Sequence, residues 1–257
     1  MLKSIKWKIR EHNDLVSMGI SHSYILDFFK KDYRLEFYKI WQNAPKDYAK
    51  NMGFEFSDDT PAGALMEIYV NNIYDQKDFI PKEGDIVIDV GAYYGDSSIY
   101  WAKKYKCIVY AYEPLLDVYN IFLKNIKLNG LEGRVIPYNI ALGKGGKVSF
   151  DRETNMMTKN TIGDIIETKK LDDFSFPALN LLKIDTEGFE LDVLEGALAT
   201  INKFKPKIIL EVHSKKLKKE CIEILKPLGY NKIIYGRKEK NDKMDLVQNL
   251  FMVPDKK

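Results

Sequence analysis

The sequence predicts an α/β protein, a doubly wound and mostly parallel sheet preceded by a helical extension. Three observations carry this. Short apolar runs, Ile86-Val87-Ile88-Asp89-Val90, Ile108-Val109-Tyr110-Ala111-Tyr112 and Leu181-Leu182-Lys183-Ile184-Asp185, read as strands covered on both faces. Helix-like stretches alternate with them, as a parallel sheet with right-handed crossovers requires. A glycine-bounded turn, Gly91 to Gly95, leads from the first run into the first of these helices.

The elements follow in order. Residues 1–64 read as an N-terminal helical extension and residues 65–257 as the sheet domain. The stretch from Tyr24 to Trp41 carries Ile25, Phe28, Phe29, Leu35, Tyr38 and Ile40 among charges, the pattern of an amphipathic helix or helix pair. Packing on the sheet domain is its plainest role. A lid over the active site is a second. Peripheral contact with anionic lipid through Lys3, Lys6, Lys8 and Arg10 is a third. Pro81 to Asp85 is a turn before the first strand. Gly95 to Tyr105 reads as a helix, Ile108 to Tyr112 as a strand, Asp117 to Asn129 as a helix ending at Gly130, and Arg134 to Tyr138 as a third strand. Residues 141–179 break the alternation. Gly143, Gly145 and Gly146 make a turn, Lys147 to Phe150 alternates like an edge strand, and Thr161 to Thr168 offers another, so this is a β-rich insertion beside the third strand. Alternation resumes with Leu181 to Asp185, a helix from Phe189 to Phe204, a strand from Lys207 to His213, and a lysine-rich helix to Leu225. Lys232 to Tyr235 and Asn249 to Val253 close the chain as a hairpin.

Bulk properties narrow the function. Forty basic against 37 acidic residues lack the basic excess of a nucleic-acid binder. Cys107 and Cys221 form no CxxC pair and His12, His22 and His213 are scattered, so a structural zinc site is not expected. No apolar run approaches the ~20 residues that cross a bilayer. The basic start lacks the apolar segment of a signal peptide, and the expected compartment is the cytoplasm.

The turn after the first strand, Asp89-Val90-Gly91-Ala92-Tyr93-Tyr94-Gly95-Asp96, carries most of the chemistry. In open α/β sheets ligands bind beyond the carboxyl ends of the strands, near the switch in strand order. A dinucleotide loop wants glycine where this chain has Tyr93, and its third glycine where this chain has Asp96. A bulky ring and a carboxylate oppose a pyrophosphate but suit an adenosyl cofactor with an ammonium and a sulfonium. Asp96 and Ser97 also suit the helix start as caps. Glu113, before Pro114 at the end of the second strand, is placed to accept hydrogen bonds from ribose hydroxyls. Asn139, after the third strand, suits either an adenine edge or a turn.

Taken in order, Ile88 to Asp96, Tyr110-Ala111-Tyr112-Glu113-Pro114, Asn139-Ile140-Ala141-Leu142, Leu171-Asp172-Asp173, Leu182 to Glu190 and Glu211-Val212-His213 resemble the FkbM family of S-adenosylmethionine-dependent methyltransferases. The resemblance covers about residues 65–255. It implies the class I methyltransferase sheet of seven strands with an antiparallel last hairpin, S-adenosyl-L-methionine as cofactor, and O-methylation of a sugar, glycan or hydroxylated metabolite. Tyr93-Tyr94 is bulkier than the Asn-Ile or Asn-Val common in that family. The cofactor set expected on this basis is Asp89, Gly91, Tyr93, Gly95, Asp96, Ser97, Glu113, Pro114 and Asn139.

Such a transfer needs acceptor, methyl and sulfur in line, and a hydroxyl acceptor must also lose a proton. Asp185 closes the fourth parallel strand, with Glu187 just beyond it. His213 closes the fifth, with Glu211 two residues earlier on the same face. Histidine has the intrinsic pKa of a base near neutrality. Asp185, Glu187 and His213 are therefore the catalytic candidates. Helix capping by the two acids and a purely structural His213 are the alternatives, and a divalent metal on the same three is a less favoured one. The Lys215, Lys216, Lys218 and Lys219 run reads as a solvated helix face, with attraction of an anionic acceptor second. A nucleic-acid methyltransferase, a non-catalytic adenosyl-binding protein and a nicotinamide oxidoreductase are the competing functions.

Overall fold

The structure, a computed structural model, describes residues 34–151, 156–158, 164–239 and 246–255. The basic start, His12, His22, the Tyr24–Tyr33 part of the amphipathic stretch and Thr161 to Gly163 lie outside the described residues. The described chain separates into two compact units, one ending at Asn72 and the other beginning at Ile73. The first holds α1 (Arg34–Asn51), α2 (Ala62–Leu65) and a π-helical turn over Met66–Val70. Pro45 sits inside α1. Buried Tyr69 meets Phe54 and Phe56 edge-on, at ring separations of 4.9 and 5.4 Å.

The second unit is built on β1 (Ile86–Val90), α3 (Asp96–Tyr105), β2 (Ile108–Tyr112), α4 (Leu116–Leu128) and β3 (Val135–Tyr138). After the insertion come β8 (Leu181–Ile184), α5 (Glu190–Glu195), α6 (Leu198–Phe204), β9 (Lys207–Val212), α7 (Lys215–Leu225), β10 (Lys232–Glu239) and β11 (Val247–Val253). The main sheet has seven strands in the order β10-β11-β9-β8-β1-β2-β3. β3, β2, β1, β8 and β9 pair in parallel, and β11 is antiparallel to both β9 and β10. This is the seven-stranded sheet with an antiparallel last hairpin that the family resemblance implies. Strand order reverses between β1 and β8, so the two carboxyl ends at that switch open side by side.

Period-two alternation divides the strands between two faces. Ile88, Val90, Leu182, Ile184, Ile208, Leu210, Val212, Leu250 and Met252 form one face of the core, against Val193, Leu194, Ile201, Cys221 and Leu225 from α5, α6 and α7. Asp89, Lys183, Glu211 and Asn249 fall on the opposite face. Register pairs Asp89 with Lys183 and Asn249 with Glu211, so four polar side chains line one face toward its carboxyl edge.

Two features depart from the expected order. The insertion does not extend the main sheet beside β3. β4 (Ala141–Leu142), β5 (Gly146–Asp151), β6 (Met156–Thr158) and β7 (Asp164–Lys169) form a sheet of their own, in the order β4-β7-β5-β6. The helix expected over Phe189–Phe204 is broken in two at Gly196. A Cβ there would sit 1.9 Å from the Gly143 carbonyl oxygen, so glycine is needed for the backbones to meet. The second half is capped from outside: Asp172 accepts the Ala199 and Thr200 N–H groups at 3.1 and 2.7 Å. No described helix is long and apolar enough to cross a membrane.

Candidate functional site

The bend after β1 is left-handed at Gly91, Tyr93 and Gly95, with φ of +77°, +52° and +83°. A Cβ on Gly91 would lie 1.8 Å from the Asp185 carbonyl oxygen, and one on Gly95 2.1 Å from the Phe122 ring. The bend is thus wedged between the end of β8 and α4. Gly91 and Ala92 N–H groups both donate to the Tyr112 carbonyl at 3.0 Å, and Asn125 Nδ2 donates to the Tyr94 carbonyl at 2.9 Å. Tyr93 adopts a conformation that a side-chain-bearing residue rarely takes. Its N–H is held by Glu113 Oε2 at 3.0 Å, and its ring, 39% exposed, packs edge-on against Tyr94.

Beneath the bend, Asp89 is fully buried. Its Oδ2 accepts from the Ser97 and Ser98 hydroxyls, each at 2.6 Å, and Lys183 Nζ lies 3.1 Å from its Oδ1. Lys183 also donates to the Gly91 carbonyl at 2.7 Å and lies 3.7 Å from Asp185 Oδ2. Burial opposes the charge on Lys183, but Asp89, Asp185 and Asp96 outweigh it, and the pKa is raised. These acids favour the charged form of Lys183, which joins the β1 bend to the end of β8.

Glu113, also buried, accepts the Leu115 N–H at 2.9 Å through Oε1, besides that of Tyr93. Burial pushes its pKa up to about 7, against the pull of those two N–H donors and of Lys183. Pro114 follows, and Asn139 Nδ2 donates to the Glu113 and Pro114 carbonyls, both at 2.9 Å. Asn139 therefore ties the end of β3 to the end of β2 whatever else it contacts.

On the other side of the switch lie Asp185, Glu187, Glu190, Glu211 and His213. The Thr186-Glu187-Gly188 turn has left-handed Glu187 and Gly188, and Glu190 Oε1 accepts the Thr186 and Gly188 N–H groups at 3.1 and 2.9 Å. The same oxygen is 2.9 Å from His213 Nδ1. His213 Nε2 faces Glu187 Oε2 at 3.5 Å, Asp185 Oδ1 at 3.8 Å and Glu211 Oε1 at 4.0 Å. Asp185 Oδ2 also accepts from the Tyr74 hydroxyl at 3.2 Å. Burial alone lowers a histidine pKa. Here Glu190, Asp185 and Glu187 outweigh it and push His213 up to about 10.

The model of the FkbM methyltransferase domain matches residues 89–239, from the acid beneath the bend to the end of β10. The chain belongs to the FkbM methyltransferase family. Among curated relatives, "Methyltransferase 1" of Beauveria bassiana is 26% identical over 163 residues, 51% of this chain and 64% of that protein. The hexuronic acid methyltransferase AglP of Haloferax volcanii is 29% identical over 151 residues, 52% of this chain and 58% of that protein. Both matches span less than two thirds of the relative. A solved FkbM methyltransferase of Methylobacillus flagellatus covers 83% of this chain and 60% of its own at a TM-score of 0.54 and 20% identity. A METTL16 methyltransferase domain covers 80% and 75% at 0.51 and 14%. These two show the fold. Membership implies a site for S-adenosylmethionine.

In this FkbM domain the sequence candidates lie along one carboxyl edge. Gly91, Tyr93, Gly95, Asp96, Glu113 and Pro114 surround the bend, and Asp185, Glu187 and His213 share the neighbouring cluster. Asp89 and Ser97 lie beneath the bend and bond to each other. Four contributors were not foreseen: Lys183, Ser98, Glu190 and Tyr74. Lys183 had a signal, a lone charge inside an apolar strand. Glu190 closes the Leu182 to Glu190 motif without a role of its own there, and nothing local marked Tyr74.

Proposed function

We propose that this chain transfers a methyl group from S-adenosylmethionine to an oxygen of a sugar, glycan or hydroxylated small molecule, through a domain spanning residues 65–257. The observation that carries this is the left-handed Gly91–Gly95 bend closed by Glu113, opening directly beside the Asp185, Glu187 and His213 cluster. The bend suits the cofactor. Its backbone leaves no space for a Cβ at either glycine, and Asp96 and Glu113 favour an ammonium and a sulfonium over a pyrophosphate. When bound, the cofactor supplies a methyl group already activated by positive sulfur.

The chain's own residues do the rest. Gly91, Tyr93, Gly95 and Asp96 receive the amino-acid portion, Glu113 accepts from the ribose hydroxyls, and Pro114 and Asn139 border the adenine. Asp89 and Ser97 act from beneath by fixing the bend. With its pKa near 10, His213 holds its proton at neutrality, which argues against the base role that its intrinsic pKa suggests. Glu187 is the most exposed acid around it, and we assign it the acceptor's proton, with Asp185 orienting the hydroxyl and His213 holding both carboxylates in place. A relative that acts on hexuronic acid supports the sugar class.

Calorimetry with S-adenosylmethionine and NAD tests the cofactor, and binding of NAD alone would overturn the proposal. Labelled cofactor with hexoses, uronic acids and host glycan fractions, read by mass spectrometry, tests the acceptor. Glu187→Gln should retain cofactor binding and lose about 10²–10⁴-fold in turnover, the usual worth of a positioned base.

A further inference from the structure

His213 is 5% exposed, and its two nitrogens are used differently. Nδ1 is bound to Glu190 Oε1 at 2.9 Å, which fixes the ring and turns Nε2 outward. Nε2 then faces oxygens of Asp185, Glu187 and Glu211 at 3.5–4.0 Å and is hydrogen-bonded to none of them. A histidine whose far nitrogen is anchored on a carboxylate while the near one faces acidic oxygens is the arrangement found behind metal-ligating imidazoles. One ligand atom each from Asp185, Glu211 and His213 lies within 4.8 Å of the others. Ligands on opposite sides of an ion with bonds of about 2.0–2.2 Å are about 4 Å apart, so small side-chain rotations suffice to close the set.

A second observation lies across the ladder. Asn249 is directly opposite Glu211 on β11 and shares its face. It is 3% exposed, and its Oδ1 has no hydrogen-bond partner among the described residues. A buried amide oxygen left over on the rung of a carboxylate is a neutral ligand atom for a hard or borderline cation. Asp185, Glu187, Glu190 and Glu211 surround one imidazole, and Lys183 lies 3.7 Å from Asp185 while pairing with Asp89.

We infer that Asp185, Glu211 and His213, with Asn249 beside them, form a binding site for a divalent first-row transition cation of the Mn²⁺ type, His213 releasing its Nε2 proton to solvent as the ion binds. Two carboxylate oxygens and one imidazole suit such an ion better than Mg²⁺ or Ca²⁺, which favour all-oxygen sets. The set contains Glu211 where the sequence suggested Glu187. Glu187 thus stays outside it and keeps the role of base. The ion's use, holding the acceptor hydroxyl and lowering its pKa, rests on the function proposed above. Its binding does not.

The test uses the full chain, stripped with a chelator and titrated with MnCl₂, without cofactor or acceptor. Calorimetry and Mn²⁺ electron paramagnetic resonance should show one saturable site. Asp185→Asn and Glu211→Gln should each weaken it at least tenfold, and Glu190→Gln about 10–100-fold by freeing the ring. Lys216→Ala, on the outer face of α7, should leave it unchanged. Thermal melts of the same variants must show cooperative folding, and Mn²⁺ should raise the melting temperature of the unaltered chain but not of Asp185→Asn. No saturable Mn²⁺ binding, or binding unaltered in folded Asp185→Asn and Glu211→Gln, overturns the site. S-adenosylmethionine binding, measured separately, decides the methyltransferase reading, so either idea can fail while the other stands.

Discussion

At the scale of single residues, the bend after β1 depends on Gly91 and Glu113. Gly91→Ala would force a left-handed alanine, costing about 1–2 kcal/mol. Its Cβ would also press on the Asp185 carbonyl, which is backbone and cannot swing aside. The expected result is a lower melting temperature together with loss of cofactor binding, read by calorimetry. Glu113 accepts two backbone N–H groups, one on each carboxylate oxygen. In Glu113→Gln the amide NH₂ faces one of those N–H groups, and a charged acceptor is lost. A hydrogen bond to a charged group contributes about 1.5–3 kcal/mol, so affinity for S-adenosylmethionine should fall about 10–100-fold. The pKa near 7 adds a pH signature. The ionised form binds ribose hydroxyls, so affinity should be flat above about pH 7 and fall about tenfold per unit below it. The glutamine variant should be flat throughout. A wild-type profile without that break removes Glu113 from the ribose.

At the scale of elements, Lys183 joins β1 to β8. Asp89 and Lys183 are register partners with the ion pair buried on one face of the sheet. Removing one partner of a buried pair leaves an uncompensated charge, which costs about 3–5 kcal/mol. Lys183→Met should lower the melting temperature by about 6–20 °C for a domain of this size. Lys183→Arg, which keeps the charge, should recover part of it. Scanning calorimetry reads both, and an unchanged melt in the methionine variant would show that the two serines alone satisfy Asp89. The contrast between Asp89 and Lys183 explains what the sequence made legible. Parallel strands covered on both faces announce themselves as apolar runs, and the glycine bend and strand-end acids mark the carboxyl edge. Register is not local information. Nothing near Lys183 says that Asp89 sits beside it, just as nothing in Phe189–Phe204 says that Gly143 will press on Gly196. The insertion was legible as strands for the same reason, while its closure into a separate sheet depends on long-range pairing of β4 with β7.

At the scale of the whole molecule, the sheet concentrates acids at one edge, and His213 and Glu113 shape how stability responds to pH. The folded pKa of His213 lies near 10 against an ordinary 6.5, so its contribution is fully present below about pH 6.5 and is lost as pH rises through about 10. Glu113 is raised from 4.5 to about 7, so folding is opposed by its ionisation, an effect absent below about pH 4.5 and complete above about pH 7. In both windows the folded state binds more protons than the unfolded one, and both groups make stability fall with rising pH. Melts of the metal-free, cofactor-free chain should therefore show this decline in two separable limbs. His213→Gln should flatten the limb between about pH 6.5 and 10, and Glu113→Gln the one between about pH 4.5 and 7. Adding S-adenosylmethionine should raise stability more above about pH 7 than below it, because the cofactor binds ionised Glu113. If the alkaline limb persists unchanged in folded His213→Gln, the proton is not held by the Asp185, Glu187 and Glu190 ring, and His213 returns to candidacy as the base.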